Sequence, residues 1–559
     1  MIGIYSAMLP ISNKRADTSE FVGVQVACRE FVKNLAQYSP AGDVGLFVSQ
    51  AEVEQTRRAL ALLQSVDGGN TDTASVWEFE QIGEAIQQRD ITAFHNILAP
   101  QLHILAYIRS KFASKPFPIT ALTHGFSVQP VLYEFFTRYL LTPTQPYDSI
   151  ICTSNAAKCA FIKMIGHARE SLEATGCRIP DRPCRFDVLP LGVDINNYQP
   201  QNRAIAVRQL GLPPNKVILL YFGRINHLTK ADLNPLLLAF QNLVEKHGDQ
   251  IVLLLAGNAT PVEVVSIEAF CRRLGIADQV VLRPSPSLLE GPLYYAASDI
   301  FVGLSDTPQE SFGLSILEAM ASGLPVVVSD WSGYRETSEH GRTGFHVPTL
   351  WGKADDEVAL FSPLINWKQD DLHLEQSIST DLHFLTHYLD LLVSNQDLRK
   401  GMGDAARQHC VSNYRWENVI SQYWALWNEL ASIATSRQHP EYPSTLPMGD
   451  QPRYFEAFSH FPTRCLTTSD HLTITERGLH AAKTPQSMII HDEMRGVLSQ
   501  RAMIALLRFL RFRKSLKRSV TVDELVVPFG KRYHFSPSRL MAHILWLIKY
   551  GHMTAAQQT

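Results

Sequence analysis

Asp299–Asp330 reads DIFVGLSDTPQESFGLSILEAMASGLPVVVSD. Asp299–Ser305 is apolar and strand-length, Gly313–Ser322 carries a helical pattern, and Pro325–Asp330 returns to an apolar strand. Strand, helix and strand in succession make a βαβ unit. Both strands are near-continuously apolar, as expected where helices cover the two faces of a parallel sheet.

The same rhythm extends in both directions. Strands are predicted at Lys216–Phe222, Ile251–Gly257 and Val280–Leu282, and earlier at Ile2–Met8, Asp43–Ser49, Pro118–His124, Asp148–Ser154 and Phe186–Pro190. Helical patterns fall between them at Phe21–Gln37, Val128–Leu141 and Ala156–Thr175. Residues 191–216, rich in Asn, Gln and Pro, read as a linker. The predicted class is α/β, with two doubly wound Rossmann-like domains, 1–195 and 196–433, facing across a cleft. A small, mainly helical domain is expected over 434–559, beyond a proline-rich linker at Pro440–Pro452. Residues 351–380 read as an acidic, irregular surface insertion, after which helical periodicity returns at Asp381–Cys410 and Trp416–Ile433.

The chain has 559 residues, 45% hydrophobic and 19% charged, with formal net charge −3. That apolar content excludes disorder, collagen and a disulfide miniprotein. The longest apolar runs fall short of the ~20 residues a bilayer span needs. MIGIYSAMLP at the start has neither a basic n-region nor a cleavage site, and the 8 cysteines form no CxxC pair. A cytoplasmic protein with reduced cysteines is the expectation. From Ala431 onward the charge changes sign: 17 Lys and Arg stand against 9 Asp and Glu.

Two elements carry the expected chemistry. Glu318 is the one charged residue on the helix Gly313–Ser322, sharing a face with Leu314, Leu317 and Ala321. A carboxylate there needs a partner, either an arginine or the hydroxyls of a sugar or ribose. Glu310 precedes it in the loop, and the backbone N–H groups of Phe312, Gly313 and Leu314 fall at the positive end of the helix, a ready anion site. The second element is Gly223-Arg224 at the end of a strand, with Lys230 following. Two cations beside a glycine suit a diphosphate.

These residues resemble a known signature. Glu310-x7-Glu318 followed by Ala319-Met320-Ala321-x-Gly323-x-Pro325-Val326 is similar to that of the retaining GT-B glycosyltransferases of family 4, also called glycosyl transferases group 1. Gly223-Arg224 with Lys230, Ala256-Gly257, Ser298-Asp299, Gly344-Phe345, Leu191-Gly192-Val193-Asp194 and Tyr414-x-Trp416 reinforce it, so that the resemblance spans residues 1 to about 430. It implies an enzyme that moves a sugar from a nucleotide-sugar donor, most commonly a UDP- or GDP-sugar, to an acceptor hydroxyl. It also implies no metal and no further cofactor.

Arg224 and Lys230 would then hold the diphosphate, Glu310 the transferred sugar and Glu318 the ribose diol. The base would lie near Arg283–Pro284, the amides of Phe312–Leu314 would touch sugar and phosphate, and His124 in THGF would contact the donor sugar from the facing domain. In the loop after the first strand, SNKRADTSEFVG, the family's paired glycine is reduced to Gly23, and Ala231-Asp232 follow Lys230 where glycine is common. A GT-B epimerase and a non-catalytic GT-B scaffold acting through the tail are the competing readings. The acceptor is undetermined: glycan, lipid, protein or small molecule.

The tail predicts helices at Ser499–Phe512, Thr521–Val527 and Ser536–Tyr550, loosely similar to a winged-helix module, with Arg508, Arg511, Arg513, Lys514, Lys517 and Arg518 in one acid-free run. A packing or dimerisation domain is the first reading. An anionic membrane surface or an acidic protein partner is the second, which would make the protein peripheral on the inner face of the membrane. The nucleic-acid signal is weak.

Overall fold

The computed structural model describes residues 1–5, 23–39, 44–67, 74–97, 101–123, 129–181, 183–228, 230–287, 290–352, 367–437, 455, 459–460, 462–488, 490–491, 494 and 497–556. The chain divides into two compact units, Met1–Met448 and Gly449–Thr559.

The first unit contains two parallel sheets. One has β1 (Ile2–Tyr5), β2 (Val44–Val48), β3 (Ala74–Glu78), β4 (Ala93–Asn96), β5 (Ile119–Leu122), β6 (Ser149–Cys152) and β7 (Arg185–Val188), in the order β3-β2-β1-β4-β5-β6-β7. The other has β8 (Val217–Phe222), β9 (Ile251–Gly257), β10 (Val280–Pro284), β11 (Ile300–Gly303), β12 (Val326–Ser329) and β13 (Gly344–Val347), in the order β10-β9-β8-β11-β12-β13. Each order reverses beside its first strand, so each sheet has a switch point where the loops leaving two neighbouring strands diverge. In the second sheet that point lies between β8 and β11.

Three of these strands escape the apolar pattern. β3 is a half-buried edge strand. β4 (AFHN) is wholly buried, but His95 and Asn96 interrupt its hydrophobicity; the His95 ring lies 2.9 Å from the Thr120 hydroxyl on β5. β13 is short and carries His346. The fully apolar strand β9, buried along its whole length, coincides with its predicted range.

Elsewhere the structure redraws the sequence reading. The linker 191–216 contains a helix, Arg203–Gln209. The stretch Asp381–Cys410 is two helices, Leu382–Ser394 and Gln396–Tyr414, separated at Asn395, whose side chain accepts from Leu398 N and caps the second. The insertion 351–380 is not irregular throughout. β14 (Thr349–Trp351) pairs antiparallel with β15 (Ile378–Thr380), and a helix covers Trp367–Gln376; residues 353–366 lie outside the described ones.

The helix Trp416–Thr435, read with the second domain, packs on the first. Tyr423 meets Phe31 edge-on at 4.9 Å between ring centroids. The Trp427 indole donates to Thr120 Oγ1 on β5 at 3.1 Å. Its nine buried residues include three tryptophans, Trp416, Trp424 and Trp427, so a large apolar area holds the crossing in place.

The second unit has a three-stranded antiparallel sheet, β16 (His471–Ile474), β17 (Val520–Thr521) and β18 (Met553–Ala556), in the order β17-β16-β18. Helices cover Glu476–Lys483, Gln500–Ser515, Asp523–Tyr533 and Pro537–Lys549 around a core of Leu506, Leu507, Leu525, Leu540, Ile544 and Leu547. Ser536 caps the last helix by accepting from Arg539 N, as its Ser-Pro start predicts. The predicted helix Thr521–Val527 divides into strand β17 and the start of the helix Asp523–Tyr533. Among the described residues no helix is long and apolar enough to cross a membrane.

Candidate active site

The loop after β8 holds Gly223, Arg224 and Lys230; the loop after β11 holds Asp306 and Glu310. Their strands are hydrogen-bonded neighbours at the switch point, so topology brings the two predicted elements together.

Gly257, at the end of β9, has φ +150°, and a Cβ there would lie 1.6 Å from the Gly223 carbonyl oxygen. Only glycine lets these two strand ends close on each other, and the Gly223 N–H donates to the Ala256 carbonyl at 3.0 Å. The buried Tyr221 hydroxyl then donates to the Arg224 carbonyl at 3.0 Å, fixing the backbone that carries the half-buried Arg224.

Lys230 Nζ donates to Glu310 Oε2, an ion pair joining the two loops. Tyr334 OH donates to the same oxygen at 3.3 Å, and Phe312 N to Glu310 Oε1 at 3.4 Å. Burial alone would push the Glu310 carboxyl up; the Lys230 ammonium and these donors overcome it and hold the group below the usual carboxylate range. One of the backbone donors predicted for an anion, that of Phe312, thus faces Glu310.

Gly313 is the N-cap of the helix Leu314–Ala321 with φ +94°, and a Cβ on it would meet the Tyr334 ring at 2.5 Å. The helix therefore starts directly against the tyrosine that contacts Glu310. The first hydrogen bond of this helix runs from Ile316 N to the Gly313 carbonyl at 3.1 Å, so the N–H groups ahead of it stand at the open end of the helix and its head carries partial positive charge at the site.

Glu318, half-buried on that helix, accepts from Tyr295 OH at 2.6 Å and also from Tyr198. Burial pushes its carboxyl up to about 7, with the Glu30 carboxylate adding to the rise and the two tyrosine hydroxyls opposing it. The arginine alternative is thus excluded: the carboxylate meets a pair of tyrosine hydroxyls, and their rings meet edge-on at 5.6 Å.

Asp306 is buried with Oδ1 unpartnered. Burial and the nearby Asp232 carboxylate push it up to about 7 against the backbone N–H donors of Asp306 and Asp232. Arg283, on edge strand β10, donates to the Leu210 carbonyl at 3.3 Å, placing its guanidinium against the start of the second domain. His124 lies outside the described residues.

The first sheet reaches this site through hydrogen bonds. Ser154 Oγ donates to the Ser311 carbonyl at 2.8 Å. The N–H groups of Asn155 and Ala156, at the head of the helix Asn155–Ala174, donate to the Glu336 carboxylate at 2.8 Å each. A carboxylate on a helix N-terminus is favoured by the dipole. Tyr198, Tyr295, Tyr334, Asp306 and Ser154 were not singled out from sequence; Ser154 at the end of one predicted strand, Asp306 directly after another and Tyr334 four residues past Asp330 lie close enough to strand ends to have signalled a role.

Two facing, fully parallel, doubly wound sheets with a returning C-terminal helix define a GT-B protein. Residues 202–361, which hold all six strands of the second sheet, β8 to β13, match the family described as glycosyl transferases group 1. The chain is 34% identical over 205 residues to a D-inositol 3-phosphate glycosyltransferase of Actinosynnema mirum, covering 34% of this chain and 47% of that protein. It is 34% identical over 235 residues to the Nocardia farcinica protein of that name, covering 41% and 47%. The chain thus spans less than half the length of these curated relatives. Among solved structures, a glycosyltransferase from Rickettsia africae superposes with TM-score 0.52 at 16% identity, covering 77% of this chain and 98% of that one. Anabaena HepE in complex with UDP gives TM-score 0.50 at 18% identity, with 77% and 99% covered. These likenesses concern the fold.

Proposed function

We propose that the protein is a glycosyltransferase that moves a sugar from a nucleotide-sugar donor to an acceptor hydroxyl, with retention of anomeric configuration and without a metal. The observation that carries this reading is the Lys230–Glu310 pair at the switch point, beside the head of the helix that begins after Gly313.

Breaking the anomeric bond leaves negative charge on the departing diphosphate. In this reading Lys230 and Arg224 receive that charge, together with the first-turn amides of the helix Leu314–Ala321. Fixed cations in a partly desolvated site stabilise such charge without reorganising, so protein groups supply what a metal would otherwise provide. Glu310, kept ionised by Lys230, accepts hydrogen bonds from sugar hydroxyls. The Glu318 carboxylate accepts from the ribose diol, in exchange for tyrosine hydroxyls. By the family resemblance the base would lie near Arg283, and His124 would contact the donor sugar. Retention and the carry-over of His124 and Arg283 rest on the family resemblance; the acceptor is set by the first domain.

The test is nucleotide release from UDP-, GDP- and ADP-sugars by the full chain, compared with Glu310→Ala and Arg224→Ala. Release from one donor, lost in both variants, is the expected outcome. Neither release nor calorimetric binding for any donor would overturn the reading.

A further inference from the structure

The helix Gln500–Ser515 in the second unit has two unlike sides. Ala502, Met503, Leu506, Leu507 and Leu510 are buried in the core. On the opposite side Phe512 is 61% exposed and Leu516, the residue ending the helix, is 51% exposed. Four residues apart, these two side chains project from one face.

Cations surround them. Arg508, Arg511, Lys517 and Arg518 are all exposed. Arg513 and Lys514, the other two of the run, meet Glu524 at 3.2 Å and Glu476 at 3.6 Å. Lys517 has φ +52°, and the Arg518 N–H closes back on the Arg513 carbonyl at 3.1 Å. This helix end is one where glycine is the unstrained residue, yet a lysine occupies it. The position suits a charge facing outward at the negative end of the dipole.

We infer that this helix end is a docking surface for an anionic lipid bilayer, with Phe512 and Leu516 entering the interface and Arg508, Arg511, Lys517 and Arg518 meeting the headgroups. Two weak signals of different kinds, an apolar insert and a basic cluster, together make reversible membrane binding. A phosphodiester backbone would match the cations equally well, but it offers nothing to the aliphatic Leu516. The pairing of Leu516 with an aromatic residue inside the cationic ring therefore favours lipid.

The test is co-sedimentation of the full chain with vesicles of phosphatidylcholine alone and of phosphatidylcholine with phosphatidylglycerol. Binding is expected only to the anionic vesicles and falls as salt rises. Arg511→Gln and Lys517→Gln are each expected to lower partitioning about fivefold, from roughly 1 kcal/mol per cation; Phe512→Ser with Leu516→Ser lowers it about tenfold or more. Far-UV circular dichroism and thermal unfolding of each variant keep loss of fold separate from loss of binding. Absence of vesicle binding, equal binding to neutral vesicles, or partitioning indifferent to the Phe512/Leu516 change would each overturn the proposal. So would tight binding to duplex DNA that survives Leu516→Ser while vesicles are ignored.

Discussion

Lys230 and Glu310 are paired across 80 residues of sequence, from the loop after β8 to the loop after β11. The pair keeps the Glu310 carboxylate ionised at the switch point, and each group must exchange its partner for donor atoms when a substrate enters. Removing one side strands a charge in a largely buried position. Lys230→Ala and Glu310→Ala are each expected to cut nucleotide release by about 10²–10³-fold, and the double variant should lose little more than either alone. Initial rates on the responsive donor check this; simple multiplication of the two effects would show that they act independently.

Glu318 and Asp306 both have carboxyls raised to about 7. The folded state then binds more protons than the unfolded chain between about pH 4 and 7. Stability is therefore expected to fall as pH rises through that window and to level off above it. Asp306→Asn should flatten the fall. Urea midpoints across the pH range provide the measurement, and an unchanged slope would remove Asp306 from the account.

For Glu318 the same titration predicts a binding effect. A ribose diol donates to the ionised carboxylate, so donor affinity should rise with pH through about 7. Glu318→Gln should bind more weakly and without that rise. Isothermal calorimetry at several pH values distinguishes the two profiles.

Gly257 and Gly211 form an internal comparison. Both have positive φ, but a Cβ at Gly257 strikes the Gly223 carbonyl oxygen at 1.6 Å, whereas at Gly211 nothing lies within 4 Å. Gly211→Ala should cost about 1 kcal/mol, the conformational term alone. Gly257→Ala should cost appreciably more, about 3 kcal/mol or above, and displace Arg224. Thermal unfolding of the two variants side by side tests the contrast.

The returning helix offers a stability prediction away from the site. Trp427 is fully buried and its indole donates to Thr120 Oγ1. Trp427→Ala should cost about 3–5 kcal/mol, whereas Trp427→Phe, which keeps most of the volume, should cost much less. A near-neutral Trp427→Ala in denaturant titration would mean the helix is not needed to hold the first sheet.

The sequence by itself determined the βαβ rhythm, because parallel strands buried on both faces must be apolar throughout, and β9 could be read to the residue. It also singled out Arg224, Lys230, Glu310 and Glu318, since charge at strand ends and on an apolar helix demands a partner. What those partners are was decided only in three dimensions. Glu318 meets Tyr198 and Tyr295, far from it in sequence, and Glu310 meets Lys230 because strand order puts β8 beside β11. Periodicity records whether a residue is buried and is silent about what lies opposite. The same blindness hid β4, where buried His95 and Asn96 break the apolar pattern, and the return of Trp416–Thr435 to the first sheet. That helix shows an apolar face in sequence, but only the tertiary structure decides which surface covers it.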